Sequence, residues 1–181
     1  MGFLNTDKLI QKYTTEPMKG NAERLKEFDA YHYLLAGGMS TSLYVKQFFK
    51  NVPDDFLSWS KVCDGGMLFD TTLLSSKEYD AGTDIEFDTY EALNTAEFLT
   101  DRKVPEGYKI FAVRSYGDVL CFSENAGDEC VYLWDIEEEE FSEIWDTFTD
   151  WLTEEIDESL ELIAEGILDP LPIKMGGDSD E

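Results

Sequence analysis

Residues 108–134 read YKIFAVRSYGDVLCFSENAGDECVYLW. Three runs in this stretch, 108–113, 119–122 and 130–134, are rich in aromatic, β-branched and aliphatic side chains. The segments between them, Ser115-Tyr116-Gly117-Asp118 and residues 124–129, hold the Gly, Asn, Asp and Ser that turns require. Short apolar runs at this spacing, punctuated by turn chemistry, predict a meander of antiparallel strands.

The pattern continues outward from the meander. Upstream, 67–69 and 73–74 are short apolar runs between turn-type residues, and Pro105-Glu106-Gly107 is a turn. Asp88 can cap a helix over 90–99. Downstream, 136–145 predicts a short acidic edge strand, whose charge discourages edge-to-edge aggregation. Asp146 or Thr147 then caps a helix running to about Glu165. Phe148, Trp151, Leu152, Ile156, Leu160 and Ile163 form one stripe of a 3.6-residue period on it.

The N-terminal part reads as helical. A short helix is expected over 4–13. Asn21 is expected to cap a second, carrying Leu25, Phe28, Tyr31, His32 and Leu35 and ending at Gly37-Gly38. Ser40 or Thr41 caps a third. Asp54-Asp55 opens a fourth, ended by Asp64-Gly65-Gly66. The whole is an α+β domain over 1–168, followed at 169–181 by an acidic disordered tail.

Composition limits the function. The chain has 181 residues with 40 Asp or Glu, 14 Lys or Arg and one His, a formal net charge of −26. Aromatics make up 14 %, far from the profile of a charged disordered chain. At this length roughly 70 % of the unfolded surface can be buried, enough for one core. Direct nucleic-acid and anionic-membrane binding are disfavoured by charge. Residues 1–10 lack a signal-peptide pattern, and no stretch approaches 18 apolar residues. Residues 1–6 fit the loose N-myristoylation pattern, but an ordinary start codon followed by Gly is expected. Three cysteines, an odd number, do not make a secreted disulfide framework, so a cytoplasmic location is expected. Cys63 reads as a core residue of a helix. Cys121 and Cys130 are placed to face each other across a hairpin as an inert thiol pair.

Counting removes most chemistry. His32 has apolar neighbours and reads as a packed residue. Neither zinc-motif spacing nor a G-x-S-x-G, P-loop or G-x-G-x-x-G signature occurs. Gly37-Gly38 and Gly65-Gly66 are each followed by Met and read as helix caps. Asp80, Asp84, Glu86 and Asp88 alternate as in a calcium loop but lack its central glycine. Forty acids produce carboxylate pairs at every spacing, and none stands isolated in an apolar stretch. No catalytic residue, cofactor or metal is assigned, and the chain is expected not to be an enzyme.

The acids themselves are the candidate site. Residues 1–114 hold 18 acids and 13 bases, whereas 115–181 hold 22 acids and one base, Lys174. From 137 to 165 there are 13 acids and no base. On the last helix Asp150, Glu154, Glu155, Asp157, Glu158 and Glu161 lie off the apolar stripe. One reading is a solvated face that maintains solubility. Adaptation to high salt fits the scarce lysine but not the aromatics. The sharper reading is a surface for a basic protein partner, such as a nuclease toxin or a nucleic-acid-binding protein. Opposite charge speeds such encounters and selects the partner. The residues assigned to it are Asp118, Asp128, Glu129, Asp135, Glu137, Glu139, Glu143, Asp150, Glu154, Asp157, Glu158 and Glu161. Among Tyr108, Tyr116, Tyr132 and Trp134, exposed rings would mark a partner or dimer face, but alternate strand residues are more often core; a monomer or homodimer is expected.

A set of motifs in order resembles the SUKH superfamily. Val52-Pro-Asp-Asp-Phe-Leu-Ser-Trp59 is similar to the family's helix start, and Asp64-Gly65-Gly66-Met-Leu-Phe69 to its NGG turn, with Asp for Asn. Val104-Pro-Glu-Gly-Tyr-Lys-Ile-Phe-Ala112, Gly117-Asp118-Val-Leu-Cys-Phe122 and Val131-Tyr-Leu-Trp-Asp135 follow the family's strands, and Phe148 and Trp151 its terminal helix. The resemblance spans about 40–165; the helical extension 1–39 and the tail lie outside it. It implies a curved, mostly antiparallel sheet of about five to six strands with helices packed around it. It also implies a non-catalytic binding scaffold, as in bacterial toxin-immunity proteins and fungal cell-wall-assembly regulators. The expectation is an immunity protein that neutralises a toxin through its acidic surface. The alternatives are a regulatory scaffold with endogenous partners and an acidic nucleic-acid mimic that inhibits a DNA-binding protein.

Overall fold

The computed structural model describes residues 4–13, 15–78 and 88–171. Helices α1 (Thr6–Lys12) and α2 (Glu16–Glu27) come first, and a 3-10 turn at Asp29–Tyr31 leads into strand β1 (His32–Ala36). Helices α3 (Met39–Phe48) and α4 (Asp54–Ser60) precede β2 (Cys63–Leu68) and β3 (Thr71–Leu73). Two short helices, α5 (Tyr90–Leu93) and α6 (Ala96–Asp101), lead into the meander. Its strands are β4 (Tyr108–Arg114), β5 (Val119–Ser123), β6 (Val131–Asp135) and β7 (Glu140–Trp145), and α7 (Phe148–Ala164) follows. The seven strands form one open sheet in chain order, each neighbouring pair antiparallel. The architecture is the expected α+β, and the described residues hold one strand more than the sequence reading.

That extra strand is β1. Residues 25–35 carry apolar side chains at helical spacing, but the helix stops at Glu27 and HYLLA runs on extended. A continuous buried run has no period that separates strand from helix. His32 therefore opens a strand rather than lying on a helix. It is buried, with Nε2 2.7 Å from the Leu25 carbonyl oxygen. Asn21 does not cap α2 but sits inside it, buried, and its side chain donates to Thr153 Oγ1 on α7 at 2.9 Å. Thr15 holds the N-cap position, and Pro17 in the first turn suits a site where no N–H is needed.

Gly65 and Gly66 do not stop a helix; they lie inside β2 with φ of +82° and +126°. A Cβ on Gly66 would run into the Tyr33 carbonyl oxygen, and one on Gly65 would lie 2.5 Å from the Leu74 carbonyl oxygen. The pair is glycine because neighbouring backbones approach too closely for a side chain. Cys63 accordingly starts this strand and is buried there. Cys121 is aligned with Tyr132, not with Cys130, and all three thiols are free.

Helices α4 and α7 cover the inner face of the sheet. Phe111 and Phe122 stack there with centroids 4.2 Å apart, and Phe56 lies 4.8 Å from Phe122 and 4.9 Å from Phe148. The motif acids hold these elements together. Asp55 Oδ2 accepts from the backbone N–H and the hydroxyl of Thr149, both at 2.7 Å, and so caps α7 from α4. Asn94 ends α5 and bonds both backbone groups of Ile110, at 2.7 and 2.9 Å, standing in for a neighbouring strand. The helix expected over 90–99 is thus two, capped by Thr89 and Thr95 rather than Asp88.

Leu171 N–H donates to the Ala30 carbonyl at 2.9 Å. The acidic tail beyond it, the polar loop with Asp80, Asp84 and Glu86, and residues 1–3 lie outside the described residues.

Candidate protein-binding surface

Helix α7 buries Phe148, Trp151, Leu152 and Ile156 against the sheet, with Thr147 capping its first turn. That orientation leaves Asp150, Asp157, Glu158 and Glu161 in solvent. Glu155 breaks the pattern. It is buried rather than exposed: Thr71 Oγ1 donates to it at 2.6 Å, and Arg114 Nη1 lies 3.1 Å away. Burial raises its carboxyl above the ordinary range, opposed by Arg114 and the Thr71 hydrogen bond.

Strand β7 adds Glu143, which is opposite Leu133 and interacts with Glu154 and Glu158 of α7. Its carboxyl is also raised, first by partial desolvation and then by Glu154 and Glu158. These three carboxylates share one field. Glu154 is held there by the Trp145 indole N–H, which donates to its Oε2.

Four of the predicted site acids serve the fold. Asp118 is buried and accepts from Ile136 N–H at 3.1 Å; burial raises its carboxyl. Asp128 accepts from Cys130 N–H at 2.9 Å and from the Tyr132 hydroxyl at 2.7 Å. Burial works against its ionisation, but these bonds prevail and hold its carboxyl below the usual range. Glu129 accepts from Asp54 N–H at 3.0 Å at the start of α4. Asp135 accepts from Glu137 and Glu138 N–H, both at 2.9 Å, and closes the β6–β7 turn.

Bases from the N-terminal part neutralise two more. Arg24 pairs with Asp157, and Lys103 with Glu139 at 2.6 Å. Among the described residues no ion pair engages Glu137, Glu143, Asp150, Glu158 or Glu161, all exposed.

The outer face of the meander carries a second aromatic cluster. Phe141 lies 4.8 Å from Tyr108, 5.3 Å from Tyr132 and 5.0 Å from Trp134, centroid to centroid. Trp134 is buried, with its indole N–H donating to the Arg102 carbonyl at 2.8 Å. Tyr108 and Tyr132 are half-buried, and Tyr116 is exposed. Ile144, opposite Tyr132, is 58 % exposed. Sequence reasoning singled out the tyrosines but missed Phe141 and Ile144. Their signal was an apolar pair inside an acidic strand.

Residues 46–154, more than half of the chain, match the model of the SMI1 / KNR4 family (SUKH-1). The chain belongs to this family. Neither the curated proteins nor the solved structures gave a match. The SMI1 / KNR4 span runs from within α3 to the middle of α7. It includes the Asp54-Asp55 start of α4, the β2 glycines and the whole meander. Helices α1 and α2, strand β1, and Asp157, Glu158 and Glu161 lie outside it. Members of the SMI1 / KNR4 family are in general non-catalytic immunity or regulatory proteins, and membership points to protein–protein contact. No group of three or more His, Cys, Asp or Glu among the described residues could hold a metal ion, and no described helix is long and apolar enough to cross a membrane.

Proposed function

We propose that this chain is a non-catalytic cytoplasmic protein that masks a basic protein partner, as an immunity protein masks a toxin. The observation that carries this reading is the convergence of Glu143, Glu154 and Glu158. Partial desolvation, and then the neighbouring Glu154 and Glu158, raise the proton affinity of Glu143 against the pull of Arg114, and among the described residues no ion pair engages Glu143 or Glu158. A lysine or arginine from outside would relieve that repulsion and be steered in by it. Glu137, Asp150 and Glu161 extend the negative field. A nuclease toxin presents a basic groove to phosphates, and carboxylates seated in that groove would exclude its substrate.

The test is co-expression and co-purification with the product of the adjacent gene. The expected result is a stoichiometric complex and protection of the host cell. If the neighbour is not toxin-like and nothing co-elutes or protects, the immunity reading fails. Family membership equally accommodates a regulatory scaffold with endogenous partners, which a deletion phenotype in the absence of any toxin would select.

A further inference from the structure

Strand β7 ends the sheet. Among the described residues it pairs with β6 alone, and no other segment bonds to the backbone of residues 140–145. Its side chains divide by face. Glu143 and Trp145, opposite Leu133 and Val131, belong to the inner side, and Phe141 and Ile144, opposite Trp134 and Tyr132, to the outer. Ser142 takes up the register shift between the two sets. The edge is therefore chemically two-sided, apolar on the outer face and anionic on the inner, where Glu154 and Glu158 stand behind Glu143.

A strand laid along this edge would meet the two sides with alternate residues. A second copy of the chain is a poor occupant, because β7 against β7 brings Glu140 and Glu143 of both copies together, and like charges across a pair destabilise it. The complementary occupant carries apolar residues on one face and Lys or Arg on the other. We propose that β7 accepts, as an eighth strand, an extended segment of a protein partner in which apolar and basic residues alternate. Main-chain hydrogen bonds would supply affinity and the alternating side chains specificity. This inference rests on the reading of the chain as a binder of a basic protein, and it specifies the mode of that binding.

The probe is a fluorescent peptide of alternating valine and lysine, titrated against the full chain and followed by anisotropy. A peptide of the same composition in block order is the comparator. Strand addition predicts that the alternating peptide binds at least about tenfold more tightly than the block peptide. It also predicts that N-methylating one alternate set of amides abolishes binding while methylating the other set does not, since only one set faces the edge. Ile144→Glu, at an exposed position, should weaken the alternating peptide about tenfold by removing the outer apolar contact. Hydrogen exchange of residues 140–145 should slow on binding. If both peptides bind alike and Ile144→Glu tightens both, the surface attracts cations without adding a strand; the basic-partner reading then stands and this inference falls. If neither peptide binds, both fall. Equal sensitivity to the two methylation patterns also overturns strand addition.

Discussion

The Arg114 guanidinium lies 3.1 Å from a carboxylate oxygen of Glu155, and both side chains are largely or wholly buried, 13 % and 2 % exposed. Arg114 is the last base before Lys174 in the sequence. Its charge is engaged inside the molecule, where it ties β4 to α7 with Thr71 of β3 as a third member. Among the described residues its one ion pair is with Glu155, and none engages Asp150, Glu158 or Glu161 on the outward face of α7. The buried pair and the unneutralised surface are two sides of one arrangement.

Removing one partner should therefore cost far more than removing both. Glu155→Met leaves Arg114 desolvated without its counter-charge and should lower stability by about 3 kcal/mol. The double variant Arg114→Met with Glu155→Met should recover most of that loss. Urea unfolding of the four proteins of the cycle measures it, and equal destabilisation by single and double variants would contradict the assignment.

Stability should fall as pH rises from weakly acid to neutral. Asp118, Glu129, Glu143 and Glu155 all have carboxyls raised by burial. A raised group binds its proton more tightly in the folded state, so its contribution is present below the unfolded value and lost as pH passes the folded one. Asp128 is lowered and works the other way, with stability lost only as pH falls below the carboxylate range. The urea midpoint is expected to be higher at about pH 5 than at about pH 8.

The glycines should separate into two behaviours. Gly66→Ala forces a Cβ into the Tyr33 carbonyl at a φ of +126° and should prevent folding or cost more than about 3 kcal/mol. Gly20→Ala, inside α2 with nothing within 4 Å of the added atom, should stabilise by about 0.5–1 kcal/mol. Thermal unfolding of both variants checks this.

Asp55→Ala should destabilise by about 1–2 kcal/mol through loss of two bonds to the start of α7, while Asp55→Asn retains an acceptor and should lose less. The weakened element should be the first turn of α7, visible as faster exchange of its amides.

Charge reversal at Glu143 and Glu158 should leave the fold intact, since both side chains are exposed. Association with a basic partner should slow by about tenfold at low salt, with a smaller effect at high salt. Stopped-flow binding at two ionic strengths reads the difference.

The meander was legible because its three runs are short, apolar and separated by turn chemistry, and α7 because six apolar residues keep one stripe. Strand β1 was not, because HYLLA is buried along nearly its whole length and carries no period. The two glycines of β2 looked like a stop because their reason, the Tyr33 and Leu74 carbonyls, comes from distant parts of the chain. For the surface, the position of the acids along the chain was visible, but their division into fold and face was not. Asp118, Asp128, Glu129 and Asp135 look no different in sequence from Glu143 and Glu158; in the folded chain backbone N–H donors engage the first group.

The amino-acid sequence alone determined the α+β class, the order of the meander, the final amphipathic helix and the crowding of acids after Arg114. Those features depend on local periodicity, turn residues and composition, which act over a few neighbours. Only the tertiary structure decided that Glu155 is buried with Arg114, that Arg24 and Lys103 reach back to neutralise Asp157 and Glu139, and that β7 is left with an open edge. The ion pairs join residues 36 to 133 positions apart that meet only in space, where burial sets the cost of a charge and proximity decides which carboxylate is paired.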